Sequence, residues 1–152
     1  YQSWIVPAQM MTCWITLDDT RAEQGTIEYV RGSHRWPLSA PIESFHAPDD
    51  PLADMHRAAD NCAAVPDIVP IVVPAGSAVF HHGKTWHGSR VNSGSGMRRS
   101  VVAHCMSSDC VFHDHHTSPV YSRYKRANDN RMDESFFPVL WDHTGHRSDF
   151  LP

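Results

Sequence analysis

Short strand-like segments, each closed by a turn signal, limit the folds that this sequence can adopt. Residues 9–17 mix apolar, β-branched and aromatic side chains in near alternation, which is the pattern of a half-buried strand. Further segments of this type are found at residues 26–30, 68–73, 77–82, 85–91 and 98–106. Because no long helical period alternates with them, a doubly wound α/β sheet is excluded. The sequence therefore predicts an all-β, mainly antiparallel sandwich or barrel.

Residues 36–66 interrupt this strand pattern with repeated prolines. Only residues 51–63 have the composition of a short helix, which we expect to begin at Pro51 after a cap formed by Asp49 and Asp50. The whole stretch is interpreted as a long excursion between strands, of the length that is typical of a lid over a binding site.

Composition and charge exclude some classes of partner. The 152 residues fit one domain, and their formal net charge of −4 comes without a basic stripe, so neither nucleic acid nor an anionic membrane is expected as a partner. The apolar runs span a few residues, whereas a transmembrane helix needs about 20. The four cysteines form no C-x-x-C pair and no secretory signal is visible, so we expect reduced thiols in a cytoplasmic protein.

Residues 76–100 contain the side chains with the most informative chemistry. His87 lies in a predicted strand, and after a turn at residues 92–96 the next strand begins with Arg98 and Arg99. An antiparallel hairpin of these strands would place His87 and one arginine over a shared cavity. There the imidazole would bind a metal and the guanidinium would hold a carboxylate whose other end chelates that metal. From this spacing alone, a structural, hydrogen-bonded histidine stays an alternative.

Three blocks of motifs follow one another along the chain, at residues 12–36, 74–92 and 98–105. Their most specific elements are a W-x-x-L-D-D strand, an E-x-G turn, an H-G-S motif and an arginine eleven residues after that histidine: residues 14–19, 23–25, 87–89 and Arg98. In this order the motifs resemble the phytanoyl-CoA dioxygenase family of non-haem Fe(II)- and 2-oxoglutarate-dependent oxygenases. The resemblance implies a double-stranded β-helix, a jelly-roll and cupin-like core with loop and short-helix decorations.

The resemblance also implies roles for four residues. His87 would be one of the three protein ligands of Fe(II). Arg98 would pair with the distal carboxylate of 2-oxoglutarate, and Ser89 would donate a hydrogen bond to the same carboxylate. Trp14 would line the co-substrate pocket, and no residue is assigned as a separate catalytic group. The implied reaction uses O₂ to hydroxylate a small organic substrate while 2-oxoglutarate is decarboxylated to succinate and CO₂.

The sequence departs from the family pattern at the other two iron ligands. The family carries them as an H-x-D pair just before the W-x-x-L-D-D strand, and residues 1–13 contain no such pair. We expect the pair directly upstream of Tyr1. Residues 1–152 are thus expected to be the C-terminal portion of a single oxygenase domain, incomplete at the N-terminus and inactive by itself. The H-D-H run at residues 113–115 follows the last core strand and is not expected to reach His87.

Two other functions stay open. A cupin-like module would bind a metal or a small ligand without redox chemistry, although its usual pair of histidines with a downstream glutamate is absent before His87. The second alternative is that the chain is an inactive fragment, because it lacks the H-x-D ligands. The primary substrate, the oligomeric state and the choice among hydroxylation, halogenation and desaturation are left open by the sequence.

Four further polar residues are interpreted as structural. His81 and His82 are consecutive in a strand, so one should point inward and the other outward, and neither is assigned to a metal. Asp18 and Asp19 are expected to be turn and capping residues rather than an acid–base pair.

Overall fold

The computed structural model describes residues 3–39, 50 and 52–152. The strands in this part of the chain are β1 (Ile5–Val6), β2 (Met10–Thr16), β3 (Ile27–Val30), β4 (Ile68–Pro70), β5 (Ala78–His82), β6 (His87–Ser89), β7 (Ser100–Met106) and β8 (Val111–Phe112). The α-helix α1 spans Ala53–Asp60, and short 3₁₀ turns occupy Ala22–Gln24, Ser33–Arg35 and Ser122–Tyr124. None of the helices in these ranges has the length and apolar character that crossing a membrane requires.

The first of two compact units comprises residues 11–105 and contains two three-stranded sheets. In the first sheet the order is β5-β2-β7, and in the second it is β4-β3-β6. β2 pairs antiparallel with β5, and β3 pairs antiparallel with both β4 and β6. The mainly antiparallel all-β architecture agrees with the pattern of alternating residues in the sequence.

A buried cluster lies between the two sheets of this unit. Trp14 comes from the first sheet, whereas Ile27 and Tyr29 come from the second, and all three are less than one tenth exposed. Partly buried apolar residues pack against them: Ile71, Val73 and Val79. Because opposite residues of an antiparallel pair point to the same face, the strand register assigns one face of each sheet to this interior.

The second unit comprises the described residues 3–10 together with residues 106–152. Its two-residue strands β1 and β8 pair antiparallel, with Ile5 opposite Phe112. Trp4, Ile5, Cys110 and Phe112 form its buried cluster, against which tail aromatics such as Phe137 pack. The tail residues 121–152 consist mainly of turns and irregular chain. Strands of two residues leave no alternation in a sequence, so β1 and β8 were not predictable in this way.

The predicted hairpin between residues 85–91 and 98–106 is wrong. β6 pairs with β3 and β7 pairs with β2, so the two strands lie in different sheets. The connection between them is long, and the amides of Ser93 and Gly94 donate to the Glu23 carbonyl at 2.9 and 3.1 Å. This attachment carries the chain across from one sheet to the other, which a tight hairpin turn would not do.

The predicted short helix within residues 51–63 is found as α1. The Leu52 amide donates to the Asp50 carboxylate at 2.9 Å just before the helix. The N-cap residue is Leu52 and no side chain forms a capping hydrogen bond, so Asp50 is not the cap that was expected. The expected start at Pro51 and the cap contribution of Asp49 lie outside the described residues. All four cysteines are free thiols.

Candidate functional site

His87 lies on β6 with its imidazole held in one orientation. Its Nδ1 is 2.7 Å from the Thr85 carbonyl oxygen, which can only accept, so in the neutral ring Nδ1 carries the hydrogen. The lone pair is then on Nε2, as a metal ligand requires, and the hydrogen bond from the other nitrogen is the arrangement that orients metal-binding histidines in general.

Arg98 and Ser89 meet beside this histidine. Nη2 of Arg98 is 3.4 Å from Oγ of Ser89. Ser89 follows His87 by two residues on β6, and residues with this spacing in a strand share a face. His87, Ser89 and Arg98 are therefore brought together across the two sheets, although the hairpin that was expected to join them does not form.

Trp14 occupies the buried cluster rather than an open wall. It is 3% exposed and packs with Tyr29, whose ring centroid is 6.1 Å from that of His87. Trp14 is thus linked to His87 through the Tyr29 ring. Its assignment to the co-substrate pocket stays a prediction.

A polar layer next to His87 was not found from the sequence. The Tyr29 hydroxyl is hydrogen-bonded to Nδ1 of His81 at 2.9 Å, and the His81 ring lies 4.6 Å from the His87 ring. Beside them, the Thr12 hydroxyl and Nδ1 of His104 are 3.0 Å apart. The signal that identifies this layer is strand register, since Tyr29 is opposite His87 and Thr12 is opposite His81.

The inward and outward orientation predicted for His81 and His82 is confirmed. His81 is buried and His82 is exposed. Burial lowers the pKa of His81 to about 4, and repulsion from His87 and His104 acts in the same direction. Burial also raises the pKa of Tyr29 to about 12, so at neutral pH the two residues form an uncharged hydrogen-bonded pair.

We expect acid to destabilise the first unit through His81. Its folded pKa of about 4 lies below the unfolded value of 6.5, so the unfolded chain binds the extra proton and stability falls as the pH drops from 6.5 to 4. The His81 share should be about 2 kcal/mol, less than the full pKa shift implies because water reaches part of the ring. Denaturant titrations at several pH values in this range give the free energy of unfolding as a function of pH. This pH dependence should be weaker for His81→Gln and unchanged for His82→Gln. An equal pH dependence for His81→Gln and the unchanged protein would contradict the assignment.

Asp18 and Asp19 hold remote parts of the chain rather than only their own turn. The Asp18 carboxylate binds the Arg99 guanidinium, with Nη2 at 2.7 Å from Oδ1, and these hydrogen bonds lower the pKa of Asp18 to about 2. Asp19 accepts a hydrogen bond from the Ala75 amide at 2.8 Å. Their expected structural role stands, with partners far away in the sequence.

The E-x-G turn supports the connection that leads to Arg98. The Glu23 carbonyl accepts hydrogen bonds from the Ser93 amide, the Ser93 hydroxyl and the Gly94 amide. Gly25 has φ +63°, and a side chain at this position would meet the carbonyl oxygen of Arg90 at 2.3 Å. Only glycine combines this backbone conformation with so close an approach.

A metal ion at His87 requires ligands beyond the described residues. In residues 3–39, 50 and 52–152, no group of three or more His, Cys, Asp or Glu side chains is arranged to hold one. His87 supplies one imidazole, a donor that suits iron and zinc, while Arg98 and Ser89 suit an anion. The residues present thus fit one part of a metal site and the anchor of a carboxylate ligand.

The comparison with protein families is consistent with this arrangement. The sequence model of the phytanoyl-CoA dioxygenase (PhyH) family matches residues 1–100. The chain belongs to the phytanoyl-CoA dioxygenase family. The family predicted from the motifs is therefore confirmed, and the match includes His87, Ser89, Arg98 and Trp14. No curated protein matches the chain.

Solved structures similar to this phytanoyl-CoA dioxygenase family member identify its fold. SnoN, a non-heme alpha ketoglutarate dependent epimerase from nogalamycin biosynthesis, is 21% identical with a TM-score of 0.58, covering 86% of this chain and 50% of its own. SnoK, a carbocyclase from the same biosynthesis, is 24% identical with a TM-score of 0.56, covering 82% and 46%. AviO1 from Streptomyces viridochromogenes Tue57 is 26% identical with a TM-score of 0.50, covering 71% and 41%.

These likenesses confirm the predicted cupin-like double-stranded β-helix. The chain spans half or less of the length of the structures that it matches. SnoN has also been crystallised with Fe3+, alpha ketoglutarate and nogalamycin RO.

Proposed function

We propose that this protein is an Fe(II)- and 2-oxoglutarate-dependent oxygenase in which Arg98 and Ser89 bind the distal carboxylate of 2-oxoglutarate. The observation that carries the proposal is the 3.4 Å contact between Arg98 and Ser89 on the face of β6 that also presents His87. Membership of the phytanoyl-CoA dioxygenase family supports it, as does the Fe3+ and alpha ketoglutarate complex of SnoN.

The chemistry of the three side chains matches the two ends of the co-substrate. The planar guanidinium of Arg98 donates two parallel hydrogen bonds to a carboxylate, and the Ser89 hydroxyl donates another. Nε2 of His87 would be one ligand of Fe(II), with the remaining protein ligands supplied from outside the described residues. Fe(II) held there would be chelated by the 2-oxo acid end of the co-substrate and would supply the redox chemistry that couples O₂ to oxidation of the substrate.

The domain and the substrate follow from the same proposal. Residues 1–152 would form the C-terminal portion of a single oxygenase domain, which accords with a chain spanning about half of SnoN. The substrate would be a small organic molecule, a class to which the nogalamycin RO in the SnoN complex belongs. Hydroxylation is the proposed outcome, although SnoN is an epimerase and SnoK is a carbocyclase.

Substitution of Arg98 by alanine in the full-length protein tests this proposal. Loss of the charge partner should weaken 2-oxoglutarate binding by about hundredfold, the scale expected when one member of a desolvated charge pair is truncated. Binding is measured by calorimetry with Fe(II) under nitrogen, and turnover is measured as succinate release in air.

Arg90→Ala is the matched control for this substitution. Arg90 follows Ser89 directly but pairs with Glu28 at 2.9 Å on the opposite face of the sheet. We expect the Arg90→Ala variant to bind 2-oxoglutarate with unchanged affinity. Equal affinity for Arg98→Ala and the unchanged protein would overturn the assignment of Arg98. Metal binding without any 2-oxoglutarate-dependent turnover would overturn the oxygenase and favour the cupin-like module.

A further inference from the structure

We propose that Asp18 is a positioning residue that, through Arg99, fixes the direction in which Arg98 presents its guanidinium to the co-substrate. This inference rests on the proposed function, because it concerns how the residue assigned to the distal carboxylate is oriented. It gives a binding role to a carboxylate that the sequence indicates only as part of a turn.

The contacts of Arg99 hold both its backbone and its side chain. Oδ2 of Asp18 accepts from the Arg99 amide at 2.8 Å and from Nε at 3.1 Å, while Oδ1 accepts from Nη2 at 2.7 Å. The Arg99 carbonyl in turn accepts from the Leu17 amide at 2.9 Å. Four hydrogen bonds to Leu17 and Asp18, which directly follow β2, therefore fix Arg99 just before β7.

Fixing Arg99 also determines where Arg98 points. Consecutive side chains of an extended chain point in opposite directions, and here Arg99 contacts Asp18 whereas Arg98 contacts Ser89. The chain is held on the other side as well, by the hydrogen bonds of Ser93 and Gly94 to the Glu23 carbonyl. Only residues 95–98 lie between the two attachments, so the Arg98 backbone has little freedom left.

An anchored backbone matters more for binding here than for folding. Arg99 is 60% exposed, and ion pairs at such exposure add little to the free energy of unfolding. Binding of a carboxylate by a flexible arginine, by contrast, includes the free-energy cost of ordering that side chain. Loss of the Asp18–Arg99 contact should therefore weaken the co-substrate affinity while the melting temperature changes little.

Asp18→Asn in the full-length protein is the test, with two ligands that differ at one end. The ligands are 2-oxoglutarate and 2-oxopentanoate, which keeps the carbon chain and the 2-oxo acid but carries a methyl group in place of the distal carboxylate. With Fe(II) under nitrogen, we expect about tenfold weaker binding of 2-oxoglutarate, a part of what Arg98 itself contributes. The affinity for 2-oxopentanoate should be unchanged, because that ligand does not need Arg98.

Asp129→Asn is the matched control. The Asp129 carboxylate accepts hydrogen bonds from the guanidinium and the backbone amide of Arg131, as Asp18 does from Arg99. These hydrogen bonds lower the pKa of Asp129 to about 2, as in Asp18. It lies in the second unit and not beside Arg98 in the sequence. Asp129→Asn should leave the affinities for both ligands unchanged.

Further variants separate failure of this inference from failure of the proposed function. Arg99→Ala removes the guanidinium contacts of Asp18 and keeps the backbone amide contact, so it should weaken 2-oxoglutarate binding no more than Asp18→Asn does. The double variant should bind no more weakly than Asp18→Asn alone, because the guanidinium contacts are lost in both. If Arg98→Ala weakens 2-oxoglutarate binding but Asp18→Asn does not, the positioning role is wrong and the proposed function stands. If Arg98→Ala has no effect, the proposed function itself fails. Equal weakening of both ligands by Asp18→Asn would indicate general damage and overturn the positioning role.

Discussion

Replacement of Gly25 by alanine should lower the free energy of unfolding of the first unit by about 3 kcal/mol. The left-handed backbone, φ +63°, contributes strain of about 1–2 kcal/mol for a residue with a Cβ. The new methyl group would also lie 2.3 Å from the Arg90 carbonyl oxygen and 3.1 Å from the Asn92 amide nitrogen, so the connection between β6 and β7 must move. Denaturant titration measures the loss.

Gly76→Ala separates the two contributions to this loss. Gly76 has φ +81°, but among the described residues other than its two chain neighbours no atom lies within 4 Å of the position that its Cβ would occupy. Alanine there should introduce only the backbone strain of about 1–2 kcal/mol. Equal losses for Gly25→Ala and Gly76→Ala would show that the close approach to Arg90 is unimportant. Because the displaced connection leads to Arg98, Gly25→Ala should also weaken 2-oxoglutarate binding, whereas Gly76→Ala should not.

The individual strands were predictable because the signal for them is local. Alternation within residues 9–17 and 26–30 corresponds to β2 and β3, but the burial does not follow a period of two throughout. Thr12, Cys13 and Trp14 are buried in succession in β2, and Tyr29 and Val30 are both buried in β3. Alternation predicts which side chains share a face of a strand, but it does not predict which other strand pairs with it. The pairing of β6 with β3 rather than β7 could therefore not be obtained, since it depends on where the connection between them is attached.

Part of the candidate site could be predicted from local motifs, whereas the contacts between residues distant in the sequence could not. His87, Ser89 and Arg98 were indicated by motif spacing within a dozen residues, and the structure brings them together. Asp18 and Arg99 are 81 residues apart, and Tyr29 and His81 are 52 apart. Such contacts depend on the register of strands in two sheets, for which one sequence gives no local signal. Among the described residues no group of three or more His, Cys, Asp or Glu side chains could hold a metal ion, and the role of His87 as an iron ligand stays a prediction.

Trp14→Ala should have the largest effect of the changes considered, about 4 kcal/mol lost from the free energy of unfolding. The indole is 3% exposed and lies between the sheets against Ile27 and Tyr29, so its removal leaves a cavity in the only described cluster that joins β2 to β3. Trp14→Phe keeps an aromatic ring in this space and should lose much less stability. Thermal and denaturant unfolding measure both.

The control for this change is Trp141→Ala, because Trp141 is 68% exposed and its truncation should alter stability by at most about 0.5 kcal/mol. Similar losses for Trp14→Ala and Trp141→Ala would contradict the core assignment. The predicted second role of Trp14, in the co-substrate pocket, is tested separately by the folded Trp14→Phe variant. A weaker 2-oxoglutarate affinity at nearly unchanged stability would indicate a pocket wall, whereas an unchanged affinity would restrict Trp14 to packing. Trp14 packs on Tyr29, and Tyr29 contacts His87, so Tyr29 belongs both to the core and to the candidate site. The stability and the 2-oxoglutarate affinity of the Trp14 variants together therefore separate the packing role of Trp14 from its predicted role in the pocket.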